Sequence, residues 1–262
     1  MTTTLAESKL VRTSRDVEGR VARIELRNPP LNVIDIALME ELSGTLAELD
    51  QRADISVIVL AGQGQAFSAG VDVAAHTPDK VEEMLSKFHP VIRSLVSTKK
   101  VTIAAVQGHC LGGGAELAMV CDIVYTTPDS QWGFPEIKLG CYPPVACTAL
   151  AALVGQKRAA ELILTGRMFS GEEAAEIGLA TRAVPLTELS KSVEECVNSL
   201  LKLSPAALAM AKKASYAWDS MHFDKGLARS EKIYFDELMK TADAQEGIRA
   251  FMEKRQPKWT GN

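Results

Sequence analysis

Apolar positions along this chain switch between two periods, and the switches mark its elements. Val21-Ala-Arg-Ile-Glu-Leu26 alternates apolar and polar residues, which predicts a half-buried strand that Asn28-Pro-Pro30 ends. From Ile36 to about Leu49 the apolar residues Leu38, Met39, Leu42, Leu46 and Leu49 recur at three and four. That spacing predicts a helix, with Asp35 placed to cap its first turn. Val57-Ile-Val-Leu60, before Gly62 and Gly64, and Val101-Thr-Ile-Ala-Ala-Val106, before Gly108, are continuous runs suited to strands buried on both faces. Ile123-Val-Tyr125, ahead of Thr126-Thr-Pro-Asp129, repeats the signal, and helical patterns, including Lys80 to Leu95, lie between. Strand, loop and helix therefore recur through the first half, an α/β organisation.

After about residue 145 helical periodicity takes over, through Val145 to Leu153, Arg158 to Leu164, Glu172 to Ile177, Leu189 to Leu203 and Ala206 to Trp218. Only Arg182-Ala-Val184 looks strand-like there. Two charged, amphipathic helices are expected last, from about Asp224 to Met239 and from Asp243 to Lys254. Asp243 with Glu246 forms a capping-box variant at the start of the second. Such a tail suits either covering its own domain or packing on another copy.

Composition narrows the class without naming a reaction. The 262 residues, 47% apolar and 24% charged, suffice for a sizeable core, and 29 basic against 33 acidic residues leave a net charge of −4. An acidic balance disfavours a general nucleic-acid binder, which needs a basic face to displace phosphate counterions. The longest apolar stretch, Cys141 to Gly155, falls short of the roughly 18 residues of a spanning helix and carries two prolines near its start, so no membrane span is expected. The opening residues lack the apolar centre of a secretory signal, and the expected location is cytoplasmic. Cysteines 110, 121, 141, 147 and 196 form no C-x-x-C pair and read as reduced thiols, mostly core. Histidines 76, 89, 109 and 222 show no ligand spacing, so no metal site is expected.

Candidate chemistry concentrates in Gly108-His-Cys-Leu-Gly112-Gly113-Gly114-Ala115-Glu116, directly after a buried strand. Consecutive glycines cost stability in a regular element, so the backbone there needs close approach. At the start of a helix through Glu116 to Val120, their unpaired N–H groups and the positive end of the helix dipole make an anion pocket, the architecture of an oxyanion hole. Close packing of helix on sheet is the plain alternative. Neither the dinucleotide fingerprint nor a P-loop fits these glycines. A second loop, Phe67-Ser-Ala-Gly70-Val71-Asp72, also follows a buried strand and is placed to offer another N–H at the same sheet edge.

Taken together these segments resemble the crotonase family, the enoyl-CoA hydratases and isomerases. The matching pieces are Asn28-Pro-Pro-Leu-Asn32, Ala66-Phe-Ser-Ala-Gly-Val-Asp72, Ala104-Ala-Val-Gln-Gly108, Gly112-Gly-Gly-Ala-Glu-Leu-Ala118 with Cys121-Asp122, Phe134-Pro-Glu-Ile137 and Leu164-Thr-Gly166. The resemblance runs in family order from about residue 20 to the end. It implies an α/β fold in which β-β-α turns wind into a superhelical spiral over residues 1–200, followed by a helical oligomerisation region over 201–262. It further implies a homotrimer or a hexamer of two trimers, and an acyl-CoA thioester as substrate, with no cofactor beyond the coenzyme A that the substrate carries. By motif position the oxyanion donors are the amides of Val71 and Gly113. Coenzyme A is expected along Ala69, Gly70, Asp72, Val73 and Gly112, with Lys254 reaching a phosphate from its own or a neighbouring subunit. The basic residue often found just after the Gly-x-Asp element is Ala74 here.

Glu116 and Glu136 match the two catalytic glutamates of the hydratases. Syn addition of water across an α,β double bond uses one group to activate water at C3 and another to deliver a proton at C2, whereas one carboxylate suffices for a double-bond shift. Two facing carboxyls also repel and titrate as a coupled pair. Each has an innocent reading: Glu116 as a favourable charge at a helix N-terminus and Glu136 as a surface charge in a loop. Trp132, Phe134, Tyr142, Pro143 and Pro144 are expected around the acyl group, aromatic core being the plain alternative for the first two. After Gly140 the chain reads Cys141-Tyr-Pro-Pro-Val-Ala-Cys147 where familiar hydratases continue with a glycine-rich loop. Prolines stiffen that wall, and the arrangement resembles hydratases of cyclic dienoyl-CoA thioesters. An isomerase using one glutamate, a thioester- or RNA-binding module, and a hydrolase built on Ser68, His109 and Asp72 are the competing readings; the last lacks a nucleophile elbow. Asp122 is expected to brace its loop or to ion-pair.

Overall fold

The apolar runs set the sheet. The computed structural model describes residues 2–7, 10–16 and 19–261. Strands β1 (Thr2–Glu7), β2 (Val11–Asp16) and β3 (Val21–Leu26) form an antiparallel meander. Helix α1 (Ile36–Gln51), β4 (Val57–Gly62), α2 (Val81–Ser97), β5 (Val101–Val106) and β6 (His109–Leu111) follow. Next come α3 (Gly113–Met119), β7 (Ile123–Thr126), β8 (Gln131–Gly133), α4 (Pro144–Val154), α5 (Gln156–Thr165) and β9 (Met168–Ser170). The described chain then runs through α6 (Gly171–Glu176), β10 (Arg182–Ala183), α7 (Leu186–Leu201), α8 (Pro205–Asp236) and α9 (Ala242–Met252).

Seven strands pair in the order β1-β2-β3-β4-β5-β7-β10, and β6-β8-β9 make a second, smaller sheet. From β3 to β10 the large sheet is parallel. Past the end of each inner strand the chain steps into the small sheet: Ser68 bridges Cys110 beyond β4, β5 leads to β6, and β7 leads to β8. One strand in each sheet and then a helix make up a turn, and the repeated turns wind the spiral.

Alternation along the parallel strands sends side chains to two cores. Val57, Val59, Val101 and Ile103 pack with Leu189, Val193 and Val197 of α7, while Ile58, Leu60, Ala104 and Val106 join the larger core with Leu38 and Leu42 of α1 and Phe88 and Ile92 of α2. Burying one such side chain contributes about 1.5–3 kcal/mol. Asp35 caps α1 as its position predicts, accepting from the Leu38 amide at 2.8 Å. Asp122 both braces and pairs: its Oδ2 accepts from the Thr102 amide at 2.7 Å and lies 2.8 Å from Lys212 Nζ.

Three sequence expectations change. The helices expected over Ala206 to Trp218 and from Asp224 form one helix, α8, ending at Asp236 before a 3₁₀ turn over Leu238–Lys240, because the residues between them hold no proline or glycine and the backbone ladder continues. Thr241, not Asp243, caps α9, accepting from the Ala244 amide, and Asp243 instead receives the amides of Thr260 and Gly261. Strands β1, β2, β6, β8 and β9 have no counterpart in the apolar pattern, since most are short or polar and paired only through tertiary contact.

Candidate active site

At the start of α3, the glycine run stands where side chains would collide. Gly112 has φ +49°, and a Cβ there would lie 2.5 Å from Glu136 Oε1. A Cβ on Gly113 would sit 2.6 Å from Val71 Cγ2, and one on Gly114 2.8 Å from the Ser68 carbonyl oxygen. The glycines thus bring the first turn of α3 against the 68–71 loop on one side and the Glu136 carboxyl on the other.

That loop is stitched in place from the 28–35 segment. Ala69 N donates to the Leu31 carbonyl, Ile34 N to the Gly70 carbonyl, and Asp72 N to the Ile34 carbonyl. Buried Asn32 donates its side-chain amide to the carbonyls of Gln63, Ala66 and Phe67, and Ser68 Oγ donates to the Asn32 carbonyl at 2.7 Å. Ser68 is therefore engaged in structure, and the Ser68, His109 and Asp72 set does not assemble as a nucleophile and base. Among the described residues no acceptor takes the N–H of Val71 or of Gly113. The two amides are neighbours: the Cβ site of Gly113 lies 3.5 Å from Val71 N, and that of Gly70 lies 3.6 Å from Gly113 N. Two unused donors side by side at a helix start are suited to one oxyanion.

Both amides belong to the wall of a cavity of about 70 Å³. Met84, Leu85 and Phe88 of α2 line its apolar side, with Leu139, Tyr142, Pro144 and Tyr234 opposite. Glu116 and Glu136 both open into it, at 3% and 9% exposure. Glu116 lies on α3 and reaches the start of α4, where its Oε1 accepts from the Val145 and Ala146 amides, each at 2.9 Å. Those amides are free because Pro144 occupies the first helical position and the first turn has no intrahelical acceptors. Burial pushes the Glu116 carboxyl up to about 7, against the two amides that favour its ionised form. Glu136 lies on a 3₁₀ turn over Pro135–Leu139 that Gly140 closes, and α9 backs that turn: a Cβ on Gly247 would collide with the Leu139 carbonyl. Burial, and then the charge of Glu116, push the Glu136 carboxyl up to about 8. Its Oε2 is buried without a partner. His76, at the cavity edge, is held neutral by burial, its Nδ1–H donating to the Asp72 carbonyl at 3.1 Å.

Of the residues singled out in the sequence, Ala69, Gly70, Val71, Val73, Gly112 and Gly113 line one side of the cavity and Glu116, Glu136, Tyr142 and Pro144 the other. Trp132 and Phe134 do not line it. They are fully buried, Trp132 stacking on Phe169 and Phe134 tilted against the same ring, and the Trp132 N–H donates to Thr126 and Ser130 hydroxyls. The alternation of β8 turns Trp132 inward, so these two rings are core. Pro143 sits one residue outside the wall as the cap of α4, Asp72 turns back to its own backbone at Ala74, and Lys254 is exposed beyond the end of α9. The sequence reading missed Met84, Leu85, Phe88 and Tyr234, whose helical periodicity reads as ordinary core.

Residues 16–262 match the family model for enoyl-CoA hydratase/isomerase. The chain is 32% identical over 242 residues to the cyclohexa-1,5-dienecarbonyl-CoA hydratase of Thauera aromatica, covering 92% of this chain and 93% of that one. It is 34% identical over 249 residues to the mitochondrial enoyl-CoA hydratase of Pongo abelii, covering 94% and 86%. In fold it resembles the crystal structure of an enoyl-CoA hydratase from Mycobacterium avium subsp. paratuberculosis K-10, with a TM-score of 0.86 at 23% identity over 97% of this chain and 100% of that one. With the spiral in place and the family model matched along nearly the whole chain, the protein belongs to the crotonase family of enoyl-CoA hydratases and isomerases.

Proposed function

We propose that this protein adds water across the double bond of an α,β-unsaturated acyl-CoA thioester. The observation that carries the reading is one small cavity holding two adjacent unused amides and two buried carboxyls, one of them with a free oxygen. The thioester carbonyl accepts from Val71 and Gly113, which stabilise the oxygen as it becomes enolate; each such donor is worth about 3 kcal/mol in a dry site. Glu116, anchored through Oε1, orients water with its other oxygen and takes its proton as the water oxygen bonds to C3. Glu136 gives its proton to C2. Raised pKa values suit this division, because the pair carries one proton near neutral pH. Coenzyme A enters as part of the substrate, along Ala69, Gly70, Asp72, Val73 and Gly112, with Lys254 toward a phosphate.

Glu136→Gln is expected to lower hydration about 100- to 10,000-fold and to stop exchange of the C2 proton with solvent, while a saturated acyl-CoA still binds. Undiminished hydration would sink the role. A shifted alkene without a hydroxyacyl product, read by mass spectrometry, would assign the wild-type chain to the isomerases instead. Pro144 in the wall, the compact cavity and the likeness to the Thauera enzyme support a cyclic dienoyl thioester as one substrate; turnover of a cyclohexadienecarbonyl thioester against crotonyl-CoA decides it. Exposed Met210, Phe251, Met252 and Trp259 in the C-terminal helical region support association into a homotrimer or a dimer of trimers. Sedimentation velocity showing only monomer would exclude that.

A further inference from the structure

Two tyrosines close the cavity on the side of α8, and their hydroxyls have opposite fates. Tyr142 donates to the Ser230 carbonyl at 2.7 Å, so its oxygen is spoken for and its ring serves as wall. Tyr234, on α8, is 1% exposed and lines the same cavity, yet among the described residues its hydroxyl finds no oxygen or nitrogen partner and has only the Cys141 thiol, a weak sulfur acceptor, beside it. The ring cannot easily turn away: Tyr142 meets it edge-on at 5.1 Å between centroids and Phe235 packs on it at 6.3 Å. Burial raises the Tyr234 phenol most, the Cys141 thiol beside it next, and Glu136, whose Oε2 also lacks a partner among the described residues, adds to the rise. A buried hydroxyl left unmatched costs about 1–3 kcal/mol, so a phenol held here is satisfied by something that enters the cavity.

We infer that Tyr234 is a specificity residue whose hydroxyl hydrogen-bonds a neutral oxygen carried by the acyl group, a hydroxyl or a carbonyl. The inference rests on the acyl-thioester reading above. A purely hydrocarbon acyl group would desolvate the phenol and return nothing. An anionic substituent is disfavoured as well: among the described residues no lysine or arginine lines the cavity, and two carboxyls do. The site thus holds its guest from two sides, amides on the thioester oxygen and a phenol on an acyl oxygen, and prefers an oxygen-bearing acyl group, linear or cyclic, over its hydrocarbon counterpart.

Binding of saturated thioesters tests this without relying on turnover. Calorimetry on the wild-type protein is expected to show 4-hydroxybutanoyl-CoA binding about tenfold tighter than butanoyl-CoA, one hydrogen bond's worth, and Tyr234→Phe is expected to erase the difference. Equal affinities in the wild type, or a preference that survives in Tyr234→Phe, would overturn the assignment. A Tyr234-dependent gain confined to 3-hydroxybutanoyl-CoA would assign the phenol to the oxygen derived from water and overturn it equally. Absence of hydration with the binding preference intact would remove the proposed reaction and leave this assignment standing. Thermal melts of Tyr234→Phe at matched pH verify that the variant is folded.

Discussion

The two ends of the cavity hold the same side chain in opposite ways. On the spiral side, Glu116 is pinned by two helix-start amides to one oxygen. On the side built by the 3₁₀ turn, α8 and α9, Glu136 keeps Oε2 unpartnered among the described residues, with Tyr234 in the same cavity wall. Burial raises both carboxyls, but Glu116 has two amides pulling it back while Glu136 has only its own amide and is raised further by the charge of Glu116, so the Glu116 proton is the easier to lose. On the proposed mechanism, environment rather than residue type separates the base from the acid.

Removing the pinned end is the most severe test of that contrast. Glu116→Gln keeps an acceptor for the Val145 and Ala146 amides but cannot take a proton, and is expected to lower kcat by about 100- to 10,000-fold in a hydration assay. If Glu116 serves only to cap α4, the rate would hold. Gly112→Ala disturbs both ends at once, since its Cβ would press on Glu136 Oε1 and the residue must keep φ +49°. A loss of about 100-fold in kcat/KM is expected, the scale of a misplacement of about 1 Å.

The pH dependence sharpens the contrast further. The proposed mechanism requires one proton on the pair, so kcat/KM is expected to follow a bell with limbs at about 7 and about 8. Stability carries the matching sign. The folded state keeps the Glu136 proton up to about pH 8, whereas an unfolded glutamate releases it near pH 4.3. Across that window the folded state binds more protons, so stability falls as pH rises. Glu136→Gln removes the penalty, and its Tm is expected to exceed that of the wild type by several degrees at pH 8 and to converge with it at pH 5. Tyr142→Phe, which frees only the Ser230 carbonyl, is the mildest change, costing about 1 kcal/mol by denaturant titration.

How far the site could be read from the chain follows the same division. The glycine run, the Phe67 to Asp72 loop and both glutamates lie in contiguous segments whose local chemistry is written in neighbouring residues, and they meet in one cavity. Trp132 and Phe134 misled because nearness to Glu136 in sequence does not bring a ring to the cavity: both pack against Phe169 in the core. Tyr234 was invisible because nothing in its helical surroundings says that α8 would bring it into one cavity wall with a glutamate roughly a hundred residues earlier. The caps divide likewise: Asp35 was legible from its helix start, but Asp243 lost that role to Thr241 because the C-terminal segment folded back on it.

By itself the sequence determined the alternation of buried strands and amphipathic helices, the close backbone approach at Gly112 to Gly114 and the presence of two carboxyls in family order, because each depends on residues near one another along the chain. The tertiary structure alone decided that Val145 and Ala146 hold Glu116, that Glu136 keeps an oxygen without a partner among the described residues, and that Tyr234 joins it in one cavity wall. Those are matters of which polar atoms find partners once water is excluded, and a partner brought from a distant segment is settled only when the layers pack.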